Sequence, residues 1–541
     1  MPTPAFTPGA KIFPINLTGP AFAGLNTEKA GSILDKAWAT TLDNMVFDGS
    51  GRPASRRGML SITTTPAGED IKQVFEYYKA DGTSEVIYST DSDIYKNTTT
   101  PASIDGTLTI TDGNIKFVNF NDKVIALGIG TGGIPAVRTT GDFADITVNS
   151  GTAPTSGIGT AAFGRVWAVD TDGKTLRYSA LLDETRWDSA DGGGSIDYSK
   201  VWPSGQDDII AVEEFGGDLV VFGSNNTVVM TDGAGSSLGI APESLYVSDT
   251  IPGQGAISQF AMCRAVGDLW IATPTGIIGL QRELVQKSTP LTNISQNVQS
   301  AVIAWVANEA DANNIDLVYS PKEAFVVCNF PTSGTQVVFD TRSTMPDGTY
   351  RATTWSADLQ TMAYIRGSRD LYGALKGTTG EVIKYAGNED DGASYAIQYE
   401  SGWLDLGEEL NVFLKFVKRL TSFLFVSQNV VVTHKVNYDF GTKEYSIQRS
   451  ATGGRVPEFG STATTKYAEW GTNGSYNLQD PLAVPATDYA EYAGGVSLRT
   501  IDAPGKGGGQ YIQVGLTIDT NSGEFAMQQI NLYAKIGRHA T

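Results

Sequence analysis

Cysteine and histidine are nearly missing from this chain, with two of each in 541 residues. Cys263 and Cys328 both lie in apolar, strand-like runs, which marks them as buried free thiols. If their strands adjoin, a disulfide is geometrically open, although it would be an unusual staple for a chain of this size. His434 and His539 stand apart from any nucleophile motif, so Ser-His or Cys-His catalysis and a histidine metal cage find little support. His434 shares a strand face with Val432 and reads as a packing residue. No stretch of about 18 apolar residues occurs, which excludes an ordinary membrane-spanning helix. The opening residues, Met1 to Gly9, lack the basic and apolar regions of a secretory signal, and none is expected.

Positive charge is also scarce. Lys plus Arg is 39 and Asp plus Glu is 59, so the formal net charge is −20. A field of that sign repels phosphate backbones at long range, and sequence-specific DNA binding is not expected. The charge fits either plain solubility or a surface past which DNA slides without sticking.

Helix-forming pattern is thin. Sixty-one glycines, with dense Thr, Ser, Asn and Asp, suit an all-β chain with many turns. The best helical candidates are residues 28–44, where Ile33, Leu34, Ala37, Trp38 and Leu42 recur at near-helical spacing, and residues 294–308.

What is present is a repeat. Gly217-Asp218-Leu219 and Gly267-Asp268-Leu269 lie fifty residues apart within similar strand-turn-strand segments, and looser copies flank them. The second strand of each unit is expected near Val86, Val124, Val166, Leu219, Leu269, Phe325 and Leu371. Three or four short strands per unit match one propeller blade, since each blade alone leaves its faces bare and stacking neighbours buries them. The expected fold is all-β: a six- or seven-bladed β-propeller over residues 66–390, an N-terminal arm and docking module at 1–65, and a C-terminal antiparallel β-sandwich at 391–541. Between about 450 and 509 glycine runs break the sandwich, and a long projecting loop is expected there. Its aromatics Phe459, Tyr467, Trp470 and Tyr476 either contact a partner or pack the loop on its own domain.

Motifs of small-molecule chemistry fail on context. Gly128-Ile-Gly130-Thr-Gly-Gly133 matches a dinucleotide fingerprint in letters only, because Pro135 and a strand follow where a phosphate-binding helix should begin. Gly505-Lys506 lacks the Ser or Thr of a P-loop. Asp170-Thr-Asp172-Gly173 opens like a calcium loop but reads better as a hairpin turn. Glu389-Asp390-Asp391 reads as a solvated linker rather than a glycosidase pair. No catalytic residue, cofactor site or metal site is assigned, and the chain is not expected to be an enzyme. One basic cluster stands out in the acidic background: Arg52, Arg56 and Arg57, downstream of Trp38. It is either a solvated turn with local ion pairs or a docking site for an adaptor or neighbouring subunit.

The order of several segments resembles a family. Gly24-Leu-Asn26, Leu34-Asp-Lys-Ala-Trp38, Leu42-Asp-Asn-Met-Val-Phe-Asp48 and the turn from Gly51-Arg52 through Arg56-Arg57-Gly58-Met59 resemble the opening of tail nozzle proteins (tail tubular protein B, or tail hub) of short-tailed bacteriophages. Trp403-Leu-Asp-Leu-Gly407, Gln510-Tyr-Ile-Gln-Val-Gly515, Phe525-Ala-Met-Gln-Gln-Ile530 and residues 532–538 resemble the closing strands of the same family. The likeness covers roughly residues 20–60 and 400–541, and the repeat region in outline. It implies a virion protein of the short tail, assembled in the host cytoplasm as a six-fold ring below the portal and adaptor. That ring would hold the genome and conduct it during ejection, with the tail adaptor and tail fibres as partners and double-stranded DNA passing without specific binding. The alternative is a carbohydrate-binding or glycan-hydrolysing propeller, using Trp187, Trp202 and Trp470 as sugar platforms or opposed carboxylates in a central pocket.

Overall fold

Two-residue hairpin loops account for the repeat. Phe120 pairs with Lys123, Ala162 with Arg165, Phe215 with Asp218 and Ala265 with Asp268, leaving two residues in each turn. Both residues of every such turn have positive φ: Asn121 and Asp122, Phe163 and Gly164, Gly216 and Gly217, Val266 and Gly267. That is the backbone which matches the right-handed twist of the flanking strands. The recurring Gly-Asp-Leu is therefore the end of one such turn and the start of a second strand.

The computed structural model describes residues 12–64, 68–203, 205–232, 240–285, 293–377, 380–405, 412–427, 430–451, 469–470, 476–477, 497–520 and 523–539. The chain is mostly β and divides into two units. One comprises Met1–Met59, Arg351–Trp355 and Ala386–Thr541; the other comprises Leu60–Tyr350 and Ser356–Tyr385.

The second unit consists of consecutive antiparallel strand sets. Their first strands are Gln73–Tyr78, Phe117–Phe120, Gly159–Ala162, Ile209–Phe215, Met262–Ala265, Asp316–Ser320 and Leu359–Ile365. The expected second strands fall at Ser84–Ser89, Lys123–Ala126, Arg165–Val169, Asp218–Gly223, Asp268–Thr273, Phe325–Phe330 and Asp370–Leu375. Strand Met59–Thr64 adds to the outer edge of the last set, beside Glu381–Tyr385.

Alternate residues of one strand serve two neighbours, because successive side chains point to opposite faces. Val166 and Ala168 pack on Val118, Phe120 and Ile125 of the set before, while Trp167 and Val169 pack on Val212, Leu219 and Val221 of the set after. Val220 and Phe222 in turn meet Leu269, Ile271 and Ile278. The last set returns to the first, with Ile365, Ala374 and Val382 against Val74, Tyr88 and Tyr95. Small antiparallel sets stacked face to face in chain order are the arrangement of a β-propeller.

In the first unit, Phe413–Val426 lies between Ser497–Pro504 and Phe525–His539, and Ile12–Thr18 and Pro53–Ser55 pair with the outer side of Phe525–His539. A second sheet runs from Trp38–Asp43 through Ala396–Ser401, Ile512–Asp519 and Val430–Tyr438 to Lys443–Ala451. Both ends of the chain thus feed the same sheets. His434 is buried between the two, its Nε2 2.6 Å from Ser422 Oγ.

The helix expected over 28–44 is not formed. Its second half is the strand Trp38–Asp43, paired with residues 398–401, and its first half is turn. β-Branched Thr40 and Thr41 and a waiting strand partner outweigh the helical spacing. Helix does form at Gln299–Asn308, inside the other candidate segment. Gly128–Gly133 lies in the connection between strands Lys123–Ala126 and Ala136–Arg138, as its hairpin reading expects. Cys263 and Cys328 are both free, and burial pushes both thiols up. Of the expected 450–509 loop, all but its ends and two short strands lies outside the described residues.

Val266 is a β-branched residue held at φ 53° on an exposed tip, a conformation that costs L residues roughly 1–2 kcal/mol. Val266→Gly should stabilise the protein by about 1 kcal/mol, less the extra freedom glycine gains when unfolded. Urea unfolding of both forms checks this, and a lower midpoint for the glycine variant would show that the Val266 side chain holds the tip.

Candidate functional site

The arginine turn separates into three different residues. Arg52 is half-buried, pairs with Asp48 at 2.8 Å and lies 4.4 Å over the Phe425 ring. Arg57 is exposed, and Trp38 is half-buried in its strand. Arg56 is 1% exposed and is out of reach of any partner while the chain is folded. Its assignment to docking is therefore corrected.

Arg56 instead organises the interior of the first unit. Its guanidinium donates through both terminal nitrogens to Asp390, at 2.8 Å for Nη1, while Nε donates to Asn44 Oδ1 at 2.9 Å. Its cationic plane lies 4.0 Å from the Tyr395 ring, and the Tyr395 hydroxyl donates to the Arg56 carbonyl. Asp390 Oδ1 also accepts the Met59 amide, and the Gly58 and Met59 amides donate to the carbonyls of Gly387 and Glu389. A side chain at Gly58 would place its Cβ 2.0 Å from the Glu389 carbonyl, so only glycine fits. Asp390 is thus the counter-ion of a buried arginine rather than part of a solvated linker. A second buried arginine, Arg351, lies 4.2 Å over Phe47 and donates to the Gly51 carbonyl, backing the same turn. Sequence reading missed both partnerships because Arg56 and Asp390 are 334 positions apart.

The other candidate region is where the first strands of the second unit converge. Asn114, ahead of the second set, donates to Asp311 and Asn314, ahead of the sixth. Gln259, ahead of the fifth set, donates to Gly157 O at 2.9 Å and accepts from Gly159 N in the third. Lys116 of the second set reaches Glu213 of the fourth at 3.2 Å. Sets that are not neighbours are therefore tied together by polar contacts. The carboxylates here are engaged: Glu214 pairs with Arg264 at 2.7 Å, and Glu76 accepts the amides of Arg366 and Gly367. Asp316, 4% exposed, accepts the Met362 amide at 3.1 Å, and burial lifts its pKa to about 7. Among the described residues, no group of three or more His, Cys, Asp or Glu is placed to hold a metal ion.

Two of the three tryptophans named as sugar platforms are interior. Trp187 is 2% exposed and Trp202 5%, packed in the cores between strand sets. The Trp470 side chain lies outside the description. Asp172, from the calcium-like stretch, accepts the amides of Lys174 and Thr175 and closes a hairpin turn.

Two measurements follow from these placements. Arg56→Ala leaves Asp390 without its charge partner, and breaking a buried pair in this way costs roughly 3–5 kcal/mol. Arg57→Ala, on the surface, should stay within about 0.5 kcal/mol of wild type. Equal effects in denaturant titrations would overturn the distinction.

The pH dependence is opposite for two buried groups. His434 is lowered by burial to about 4, so its contribution is complete above the unfolded pKa near 6.5 and is lost as pH falls through 4. Asp316 is raised from 3.8 to about 7, so the folded state holds a proton the unfolded state has released, and stability falls as pH rises across that window. Asp316→Asn should therefore gain melting temperature over wild type as pH rises from 4 to 8. A constant difference at every pH would remove Asp316 as the cause.

No family model and no curated protein matches the chain. Among solved structures, similarity extends to YCF48 from Cyanidioschyzon merolae, at 11% identity and a TM-score of 0.35, covering 61% of this chain and 98% of that one. It extends also to the Pan2 WD40 domain of Neurospora crassa, at 8% identity and a TM-score of 0.36, covering 61% and 96%. The Cps50 (Swd1) β-propeller domain of Myceliophteria thermophila matches at 7% identity and a TM-score of 0.36, covering 60% and 99%.

Proposed function

We propose that this chain is a tail nozzle subunit of a short-tailed bacteriophage. Six copies would form a ring that continues the DNA channel below the portal and adaptor, retains the genome and conducts it during ejection. In this reading the second unit is a seven-bladed propeller, closed by strand Met59–Thr64 on the last blade, and the sheets of the first unit form a β-sandwich.

The observation that carries the reading is the division of charge. The second unit has 20 Lys and Arg against 38 Asp and Glu, so 20 − 38 = −18, while the first has 19 against 21, so 19 − 21 = −2. From Val201 to Cys263 there is no Lys or Arg at all. A wall of this sign lets a duplex pass without binding, because its phosphates are repelled and few cations are available to replace its counterions. The near-neutral unit supports the assembly role, and the segments that resemble the nozzle family at both ends of the chain fall within it. The tail adaptor and tail fibres are the proposed partners, with Arg52, Arg57 and Trp38 remaining as surface candidates for docking.

Gold labelling of the protein on purified particles, viewed by electron microscopy, tests the reading. Label confined to the distal end of a short tail is the expected result. Particles free of label would remove the virion role and bring the glycan-directed alternative forward.

A further inference from the structure

One sheet of the first unit reverses the sign of the chain. Its strands Phe413–Val426, Ser497–Pro504 and Phe525–His539 hold six Lys and Arg against a single carboxylate, Asp502, and its strands Ile12–Thr18, Met45–Phe47 and Pro53–Ser55 hold no charge, so 6 − 1 = +5 in a chain of −20. Lys415 is buried on the inner side, where Asp405 and Asp439 act on it. Phe416, next along, turns to the outer side and is 36% exposed. Lys535 faces Phe416 across the ladder, and Lys418 Nζ lies 5.9 Å from the Phe416 ring. A Cβ on Gly508 would collide with the same ring, so the exposed Lys506, two residues before, borders this corner. Ile12, paired with Lys535 from the other side, is 58% exposed. Arg419 lies over Tyr533 at 4.3 Å and reaches Asp502 at 3.9 Å. Among the described residues, Lys418, Lys506 and Lys535 pair with no carboxylate.

We propose that this basic corner, Lys418, Lys506 and Lys535 around Phe416 and Ile12, receives the acidic second unit of another copy of the chain. Charge complementarity selects the occupant. The second unit has 38 Asp and Glu against 20 Lys and Arg. Among the described residues, twelve of those cations already pair with carboxylates of the same unit. Every copy therefore presents unpaired ammonium groups on one unit and surplus carboxylates on the other. The like net charge of two copies does not prevent the contact, because charges farther apart than about 8 Å are screened at physiological salt and the groups that touch decide the sign. An apolar centre within a charged rim is the anatomy of a protein interface. Duplex DNA suits the corner less well, since its phosphates would meet few cations and leave Phe416 and Ile12 uncovered. The two faces differ, so the contact is heterologous and passes from copy to copy until the rotation closes a ring. The proposal rests on the ring reading for its neighbouring copies and does not depend on their number being six.

Carbodiimide coupling of lysines to carboxylates, in a mixture of isotope-labelled and unlabelled full chain, tests the proposal, because links that join the two isotopes arise only between copies. Such links from Lys418, Lys506 or Lys535 to Asp or Glu of Leu60–Tyr350 or Ser356–Tyr385 are the expected result. In sedimentation velocity, the double variant Lys418→Glu with Lys506→Glu should associate more weakly than wild type by roughly tenfold or more. Lys29→Glu with Lys36→Glu makes the same change in net charge away from this sheet and should associate as wild type does. All four side chains are exposed, so both variants should keep the wild-type melting temperature, which is measured alongside. A chain that stays monomeric at every concentration, links between copies that avoid the second unit, or equal losses in the two variants would each overturn the proposal. A monomeric chain that retains duplex DNA through Lys418 and Lys506 would overturn it in favour of phosphate. Association into six that survives Lys418→Glu with Lys506→Glu would reject the corner while leaving the ring intact. Corner-dependent association that stops short of six would keep the corner and reject the six-fold ring.

Discussion

The second unit depends on the packing of its last strand set against its first. Every interior set has two neighbours and buries both faces, as Arg165–Val169 does with its alternate residues. The first and last sets would each expose one apolar face if Ile365, Ala374 and Val382 did not meet Val74, Tyr88 and Tyr95. Fully burying a side chain of this kind is worth roughly 1.5–3 kcal/mol, so the seam outweighs any single contact elsewhere in the unit. It also joins segments at opposite ends of a long stretch of chain, and such contacts come only after their loop-closure entropy has been met. Strand Met59–Thr64, lying beside Glu381–Tyr385, binds the start of this unit to its end and holds the seam in register.

The first unit is held by buried charge as well as by apolar packing. Its interior contains charges: Arg56 with Asp390, Arg351 against Phe47 and Phe22, and Lys415, whose ammonium donates to the Gln510 carbonyl and whose pKa burial lowers to about 8. Buried pairs of this sort add little net stability over apolar replacements, yet they tolerate only one geometry. A guanidinium held by Asp390, Asn44 and the Arg57 carbonyl fixes the path of residues 44–59 against residues 387–395. The second unit buries charge in the same way, with Arg138 on Glu85 and Lys123 on Glu184, so in both units such pairs specify the interior.

The separation of partners along the chain decides how much was legible in the sequence. The second strands could be placed because a two-residue turn with positive φ favours Gly, Asn or Asp, which fill six of the eight positions in these four turns, and the strand that follows is apolar on both faces. Gly217-Asp218-Leu219 and Gly267-Asp268-Leu269 state both requirements within three residues. Residues 28–44 misled because helical spacing is also satisfied by a strand and turn whose partner, Ala396–Ser401, lies far along the chain. The same distance hid the role of Arg56: beside Arg52 and Arg57 it reads as one of three surface cations, and nothing near it announces Asp390. Trp187 and Trp202 likewise show no local sign of the cores that enclose them.

The conserved quantity across these observations is where polar groups can be satisfied. At the convergence of the first strands, backbone and side-chain groups of non-neighbouring sets bond to one another, Asn114 to Asp311 and Asn314, Gln259 to Gly157 and Gly159, and Lys116 to Glu213. Groups joined in this way have already exchanged water for protein, so a ligand entering there would have to break those bonds before making its own.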